Sequence, residues 1–172
     1  MTDPSPPELA TVLAASIGRA FRHHVVEECV PRIRECVEQL DADQVWRRHG
    51  AHGNSVGNLL LHLEGNTRQW ILAGIGGAPD SRDRDAEFAA GAAAGASIEL
   101  VERLAATATA AADVVDGLTP EQLVESRTFQ ARFEREVCAA VLHVLEHFSG
   151  HAYQIYAWTK QMRDTDLRFW DL

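Results

Sequence analysis

The chain has 172 residues, 46% of them apolar, enough for one domain, residues 1–172, with a sizeable core over about 8–162. Its 16 basic and 25 acidic residues leave a formal net charge of −9, which argues against a nucleic-acid partner. No run approaches the ~18 apolar residues that a membrane span needs, so no membrane association is expected. The start, "MTDPSPPELA", is acidic and proline-rich, with no basic segment ahead of an apolar stretch. No signal peptide is expected, and the cytoplasm is the expected location. Cys29, Cys36 and Cys138 form no CxxC pair and fit neither a disulfide framework nor a zinc knuckle. They read as small buried side chains in a reducing compartment.

In chain order, "SPPELA" opens a first helix, with Ser5 as cap, Pro6 in the first turn and Glu8 completing a capping box. Leu9, Leu13, Ile17, Phe21, Val25, Ile33, Val37 and Leu40 follow at roughly helical spacing. The spacing predicts a helix over about 6–40, kinked near 28–31 because Pro31 removes a bond to the carbonyl of Glu27. The linker "RRHGAHGNS" contains His49 and His52, which read as solvated. A second helix starts at Asn54 or Ser55 and ends near Ile75, before "GIGGAP". Residues 76–96 read as a long loop. Ser97 is the expected cap of a third helix whose stripe is Val101, Leu104, Ala105, Ala108, Ala112 and Val115. "LTPEQL" starts a short helix, with Thr119 as cap and Gln122 as its box partner. Residues 125–135 are ambiguous and can be extended. A last helix is expected over about 134–162, and the tail after it carries the aromatics Phe169 and Trp170. Long helices joined this way predict an all-α antiparallel four-helix bundle.

The last helix contains "HVLEHFSGH", with His143, His147 and His151 spaced by four. Positions four apart on a helix lie about 40° apart around its axis, so His147 and His151 share a face and can converge on one ion. His147 sits beside Val144 and Phe148, at the edge of the apolar stripe. A buried neutral imidazole needs partners for both ring nitrogens, and a metal on one with a hydrogen bond on the other supplies them. The second helix offers His62 among leucines, with Asn58, Asn66 and Gln69 on its side of the helix. Three histidines from facing helices resemble catalytic metal sites, which leave positions open to water. His23 and His24 are adjacent, face different ways and read as a surface pair. Glu64 and Glu146 lie two and one positions from a histidine and point away from it.

"NSVGNLLLHLEGNTRQWI", "GGAPDSRDRDAEF" and "HVLEHFSGHAYQI" together resemble the DinB/YfiT-like superfamily, in a branch of unknown function that keeps "GNLLLHLEGN" and "RDRDAEF". The resemblance covers about residues 10–162. It implies an up-down-down-up four-helix bundle, a divalent metal (zinc or nickel) on His62, His147 and His151, and a homodimer. Many relatives carry a basic residue and glycine where this chain has Ala152 and Tyr153, so the surroundings of the open coordination positions differ. His143 is outside that triad and reads as a supporting or surface residue. Asn58, Asn66 and Gln69 can tie down His62. Arg82 and Arg84 can hold a carboxylate of a substrate or thiol, and Glu87 or Asp85 can serve as acid or base.

The superfamily includes enzymes that use low-molecular-weight thiols. The resemblance therefore implies a metal-dependent thiol S-transferase, or a related detoxifying enzyme, acting on a small molecule. Two alternatives stand beside it. One is a metal-dependent hydrolase. The other is a non-catalytic metal-binding or stress-response dimer in which the ion is a structural pin. The expected roles of Phe169 and Trp170 are a partner surface or a tail docked on its own core.

Overall fold

The structure is a computed structural model that describes residues 5–48, 50 and 52–169; His49 and Trp170 lie outside them. Pro6–Phe21, Arg22–Cys29 and Val30–Glu38 follow one another without interruption as helix α1. Glu8 accepts both the N–H and the hydroxyl of Ser5 at 2.7 Å, fixing the start. Pro31 does not end this helix. The turns ahead of it, Arg22–Cys29, widen to the π-helical pattern, and the N–H of Val30 reaches five residues back to the carbonyl of Val25. A widened turn gives the proline ring room against the preceding carbonyls, so the expected kink takes the form of a π segment.

Asp41 then caps a short helix, α2 (Ala42–Trp46), just ahead of the expected linker, in a stretch for which the sequence predicts no element. Its carboxylate accepts the Gln44 N–H at 2.8 Å. Helix α3 comprises Val56–Thr67 and the π segment Arg68–Ala73. Ser55 is its cap, taking the Asn58 N–H at 3.1 Å while Asn58 accepts the Ser55 N–H at 3.1 Å. The stretch expected as a long loop contains a helix, α4 (Arg84–Ala89), and a 3-10 turn at Ala92–Ala94. Asp83 starts α4 by accepting the Ala86 N–H at 2.9 Å. Helix α5 is Ser97–Asp116, with Ala96 rather than Ser97 at the cap position; the Glu99 carboxylate takes the Ala96 N–H instead. Thr119 and Gln122 form the expected box at the start of α6 (Pro120–Leu123). A two-stranded antiparallel hairpin, β1 (Ser126–Phe129) and β2 (Phe133–Glu136), fills the ambiguous stretch. Helix α7 (Val137–Arg163) therefore starts three residues later than expected.

The directions of the four long helices follow from their contacts. Arg22 pairs with Asp113 and Asp116, and Arg34 with Glu102, so α1 and α5 are antiparallel. Glu64 meets Arg103, and Gly76 lies against Val114, so α3 and α5 run parallel. His62 meets His147 while Trp70 meets His143, so α3 and α7 are antiparallel. The result is the up-down-down-up bundle. Parallel neighbours need a connection that returns along the bundle, which the segment carrying α4 provides.

Val25, Ile33, Leu59, Leu63, Leu104, Val144, Phe148 and Ile155 are fully buried between the helices. The tail docks back. Phe169 stands edge-on to Tyr156 with ring centroids 5.1 Å apart, and Leu167 is buried. None of the described helices is long and apolar enough to cross a membrane.

Candidate metal centre

The antiparallel crossing of α3 and α7 puts His62 opposite His147 and His151. One nitrogen from each of the three rings lies within 4.8 Å of the others. The Nε2 atoms of His62 and His147 are 3.0 Å apart. Two imidazoles at ~2.0–2.1 Å from one tetrahedral ion have nitrogens about 3.3 Å apart, so the donor set fits a divalent ion with little adjustment. His62 is buried, and His147 and His151 are half-buried.

The second nitrogens decide which ones are free to bind. The Nδ1 of His62 lies 2.8 Å from Oε2 of Glu87. A carboxylate only accepts, so Nδ1 carries the proton and the lone pair is on Nε2, toward α7. Arg82 holds Glu87 from the other side: its Nε donates to Oε1 at 2.7 Å and its Nη2 to Oε2 at 3.0 Å. That Nη2 is also 3.1 Å from Nδ1 of His62, because two donors share one carboxylate oxygen. Burial pushes the Glu87 carboxyl up, but the bonds from His62 and Arg82 outweigh it and hold it below the usual range. Glu87 therefore stays ionised behind His62. His151 has a comparable partner, with its Nδ1 2.7 Å from Oε1 of Gln154.

All three α7 imidazoles are pushed toward the neutral form, the one that binds metal. Burial, then the nearby His151, His62 and His143, bring His147 down to about 3. Burial also lowers His151, with Gln154 opposing and His62 reinforcing the shift. His143 is lowered by burial, against the pull of Glu146.

The other sequence candidates divide. Asn58 donates to the carbonyls of Glu87 and Ala90 at 2.9 and 3.1 Å, and so ties the end of α4 to α3. Gln69 accepts from Nη1 of Arg82 at 3.0 Å and donates to Asp80. Arg82 is thus fixed at both ends of its guanidinium. Gly65 makes this approach possible, since a Cβ there would overlap Oε1 of Glu87. Asn66 is buried, and its Oδ1 has no hydrogen-bond partner among the described residues.

His143 stacks on His147 with centroids 5.8 Å apart and tilts against Trp70 at 4.5 Å. Arg84 is exposed and sits over the ring of Phe88, which packs on His62; it reaches the cluster only through that ring. Tyr153 is exposed and lies edge-on to Tyr156, on the far side of α7 from His151. His23 and His24 face solvent beside Glu27 and Glu28, and Glu64 bonds Arg103. Sequence reading missed Gln154, Phe88 and Trp70. Gln154 was findable, because it lies three residues from His151 on one helix. The two aromatics carry no local signal.

In a bundle of this topology, one histidine from the second long helix and two from the fourth form a cluster that could hold a metal ion. Residues 19–171 match the family described as a protein of unknown function, DUF1572, and the chain belongs to that family. Its fold is similar to that of a DinB-like protein from Bacillus cereus ATCC 10987, at 13% identity and a TM-score of 0.60 over 80% of this chain and 87% of that one. It is also similar to the DinB-like protein YjoA of Bacillus subtilis, at 14% identity and a TM-score of 0.61 over 88% and 94% of the two chains. No curated protein matches the chain.

Proposed function

We propose that this chain is a divalent-metal-dependent enzyme, a low-molecular-weight-thiol-dependent S-transferase or related detoxifying activity, with zinc or nickel on His62, His147 and His151. The observation that carries the reading is the Glu87–His62 pair at 2.8 Å, which aims the free nitrogen of His62 at the two α7 histidines. When bound, an ion on three neutral imidazoles supplies Lewis acidity and lowers the pKa of a thiol or water at its open positions. The chain's own residues do the rest. Glu87 keeps the proton on Nδ1 of His62, Arg82 and Gln69 keep Glu87 in place, and Gln154 orients His151. Glu87 is a positioning residue here, because its carboxylate faces the back of His62. The thiol class comes from the family resemblance. The three free cysteines fit the cytoplasm. The exposed Leu9, Val12 and Leu13 on α1 support a homodimer, expected by light scattering at twice the 18.9 kDa of one chain.

The test is elemental analysis of the purified, untagged protein beside the His147→Ala/His151→Ala double variant, followed by a panel of thiols with electrophiles. Near-stoichiometric metal that vanishes in the variant, with thiol consumption by the wild type alone, is the expected result. Absence of metal after incubation with zinc and nickel overturns it. Metal without thiol chemistry, but with ester or amide cleavage, makes the protein a hydrolase instead.

A further inference from the structure

One helical turn from His147, a groove of about 500 Å³ runs between α3, the hairpin and α7. That volume is in the range of small-molecule sites. One wall is aromatic: Phe133 lies nearly parallel to Trp70, at 21° and 6.2 Å, and Trp70 lies nearly parallel to Phe129 beneath, at 20° and 5.1 Å. Leu142, more than half exposed, and Ala139 form the opposite, apolar wall. His143 closes the end nearest the metal centre, touching Trp70 on one side and His147 on the other.

The hairpin adds a cation. Phe133 and Arg135 are two apart on β2, so they project from one face of the strand. Both line the groove. Arg127, directly across the hairpin from Arg135, is tied to the carbonyl of Ile75 and to Glu125. Arg135 has no hydrogen bond or ion pair among the described residues, so its guanidinium is free for a ligand. Glu146 also lines the groove and forms no ion pair among the described residues, which disfavours a second negative charge.

We propose that this groove binds the second substrate of the enzyme, an aromatic monocarboxylic acid, with its ring against Phe133, which Trp70 backs, and its carboxylate on Arg135. The assignment to a substrate rests on the metal-centre reading; the binding itself does not. The Phe133 ring, held by Trp70 behind it, favours a flat ligand. Arg binds a carboxylate through paired N–H donors, and its guanidinium is more weakly hydrated than an ammonium.

The probe is 2-naphthoate, titrated calorimetrically into the metal-free and the zinc-treated protein. Saturable binding of one naphthoate per chain is expected in both. Arg135→Gln should weaken it by about tenfold or more, as should replacing naphthoate by the neutral 2-naphthylmethanol. Ala139→Phe, which fills the groove from an exposed helix position, should abolish binding while circular dichroism stays unchanged. No saturable binding by the folded wild type, or an Arg135→Gln affinity equal to wild type, overturns the proposal. Metal uptake by the wild type separates the two readings: naphthoate binding by wild-type protein that takes up neither zinc nor nickel leaves the groove intact and removes only its role as a substrate site.

Discussion

Glu87 is a buried carboxylate with one imidazole and one guanidinium aimed at its two oxygens. Neutralising it as Glu87→Gln keeps the shape but can present an amide N–H to Nδ1 of His62, where only an acceptor suits the metal-binding tautomer. Loss of an orienting partner of this kind typically costs 10–100-fold in metal affinity. A competition titration against a chromophoric chelator should show a drop of roughly that size. An unchanged affinity would mean that Glu87 only packs. His147 supports a second prediction, for the metal-free chain. Burial depresses its folded pKa to about 3, against an ordinary 6.5. Between those values the unfolded chain binds more protons, so stability is full above the ordinary value and falls as pH drops through it. Urea midpoints should decline from pH 7.5 to pH 5, and the decline should be shallower in His147→Gln. The three clustered histidines were legible because i, i+4 spacing and a leucine-rich neighbourhood are local features. Gln69, Arg82 and Asn58 are legible as neighbours but not as a chain of bonds, since that chain runs through α4, a helix too short to show an apolar period.

At the scale of elements, α1 and α3 were legible from apolar periodicity and caps. Their π segments were not, because a widened turn shifts the stripe by less than its own width. The short helices α2 and α4 bury too few apolar residues to show a period, and only Asp41 and Asp83 mark them. The hairpin is legible only as a stretch that can be extended, since its turn breaks a local rule: Gln130 and Ala131 have φ of 54° and 51°, in the left-handed region, with no glycine. Such a conformation costs about 1–2 kcal/mol for a residue with a Cβ. Ala131→Gly should therefore stabilise the protein by about 1 kcal/mol, after glycine's larger unfolded-state entropy is subtracted. For a chain of this size that is a rise of roughly 2–4 °C in Tm by calorimetry. A fall in Tm would mean that the turn adopts another conformation in solution.

At the scale of the whole molecule, the question is whether a bound ion pins the bundle or is held by a bundle that stands without it. The helices that would share the ion are joined by more than the histidines. Leu59, Leu63, Val144 and Phe148 are fully buried in the interior they share with α1 and α5. The directions of α1 and α5 are fixed by contacts elsewhere, Arg22 with Asp113 and Asp116 on the far side. Neutral imidazoles also leave no uncompensated charge behind when the ion departs. Chelation should therefore remove only the linkage free energy of a ligand that binds the native state, about 4 kcal/mol at a thousandfold excess over Kd. The metal-stripped protein should keep its far-ultraviolet circular dichroism and unfold in one cooperative step, with Tm lower by roughly 10 °C. His62→Ala should behave like the stripped protein and no longer respond to added zinc. Loss of helicity on chelation, or a non-cooperative transition, would make the ion part of the scaffold and the pin the better description of the site.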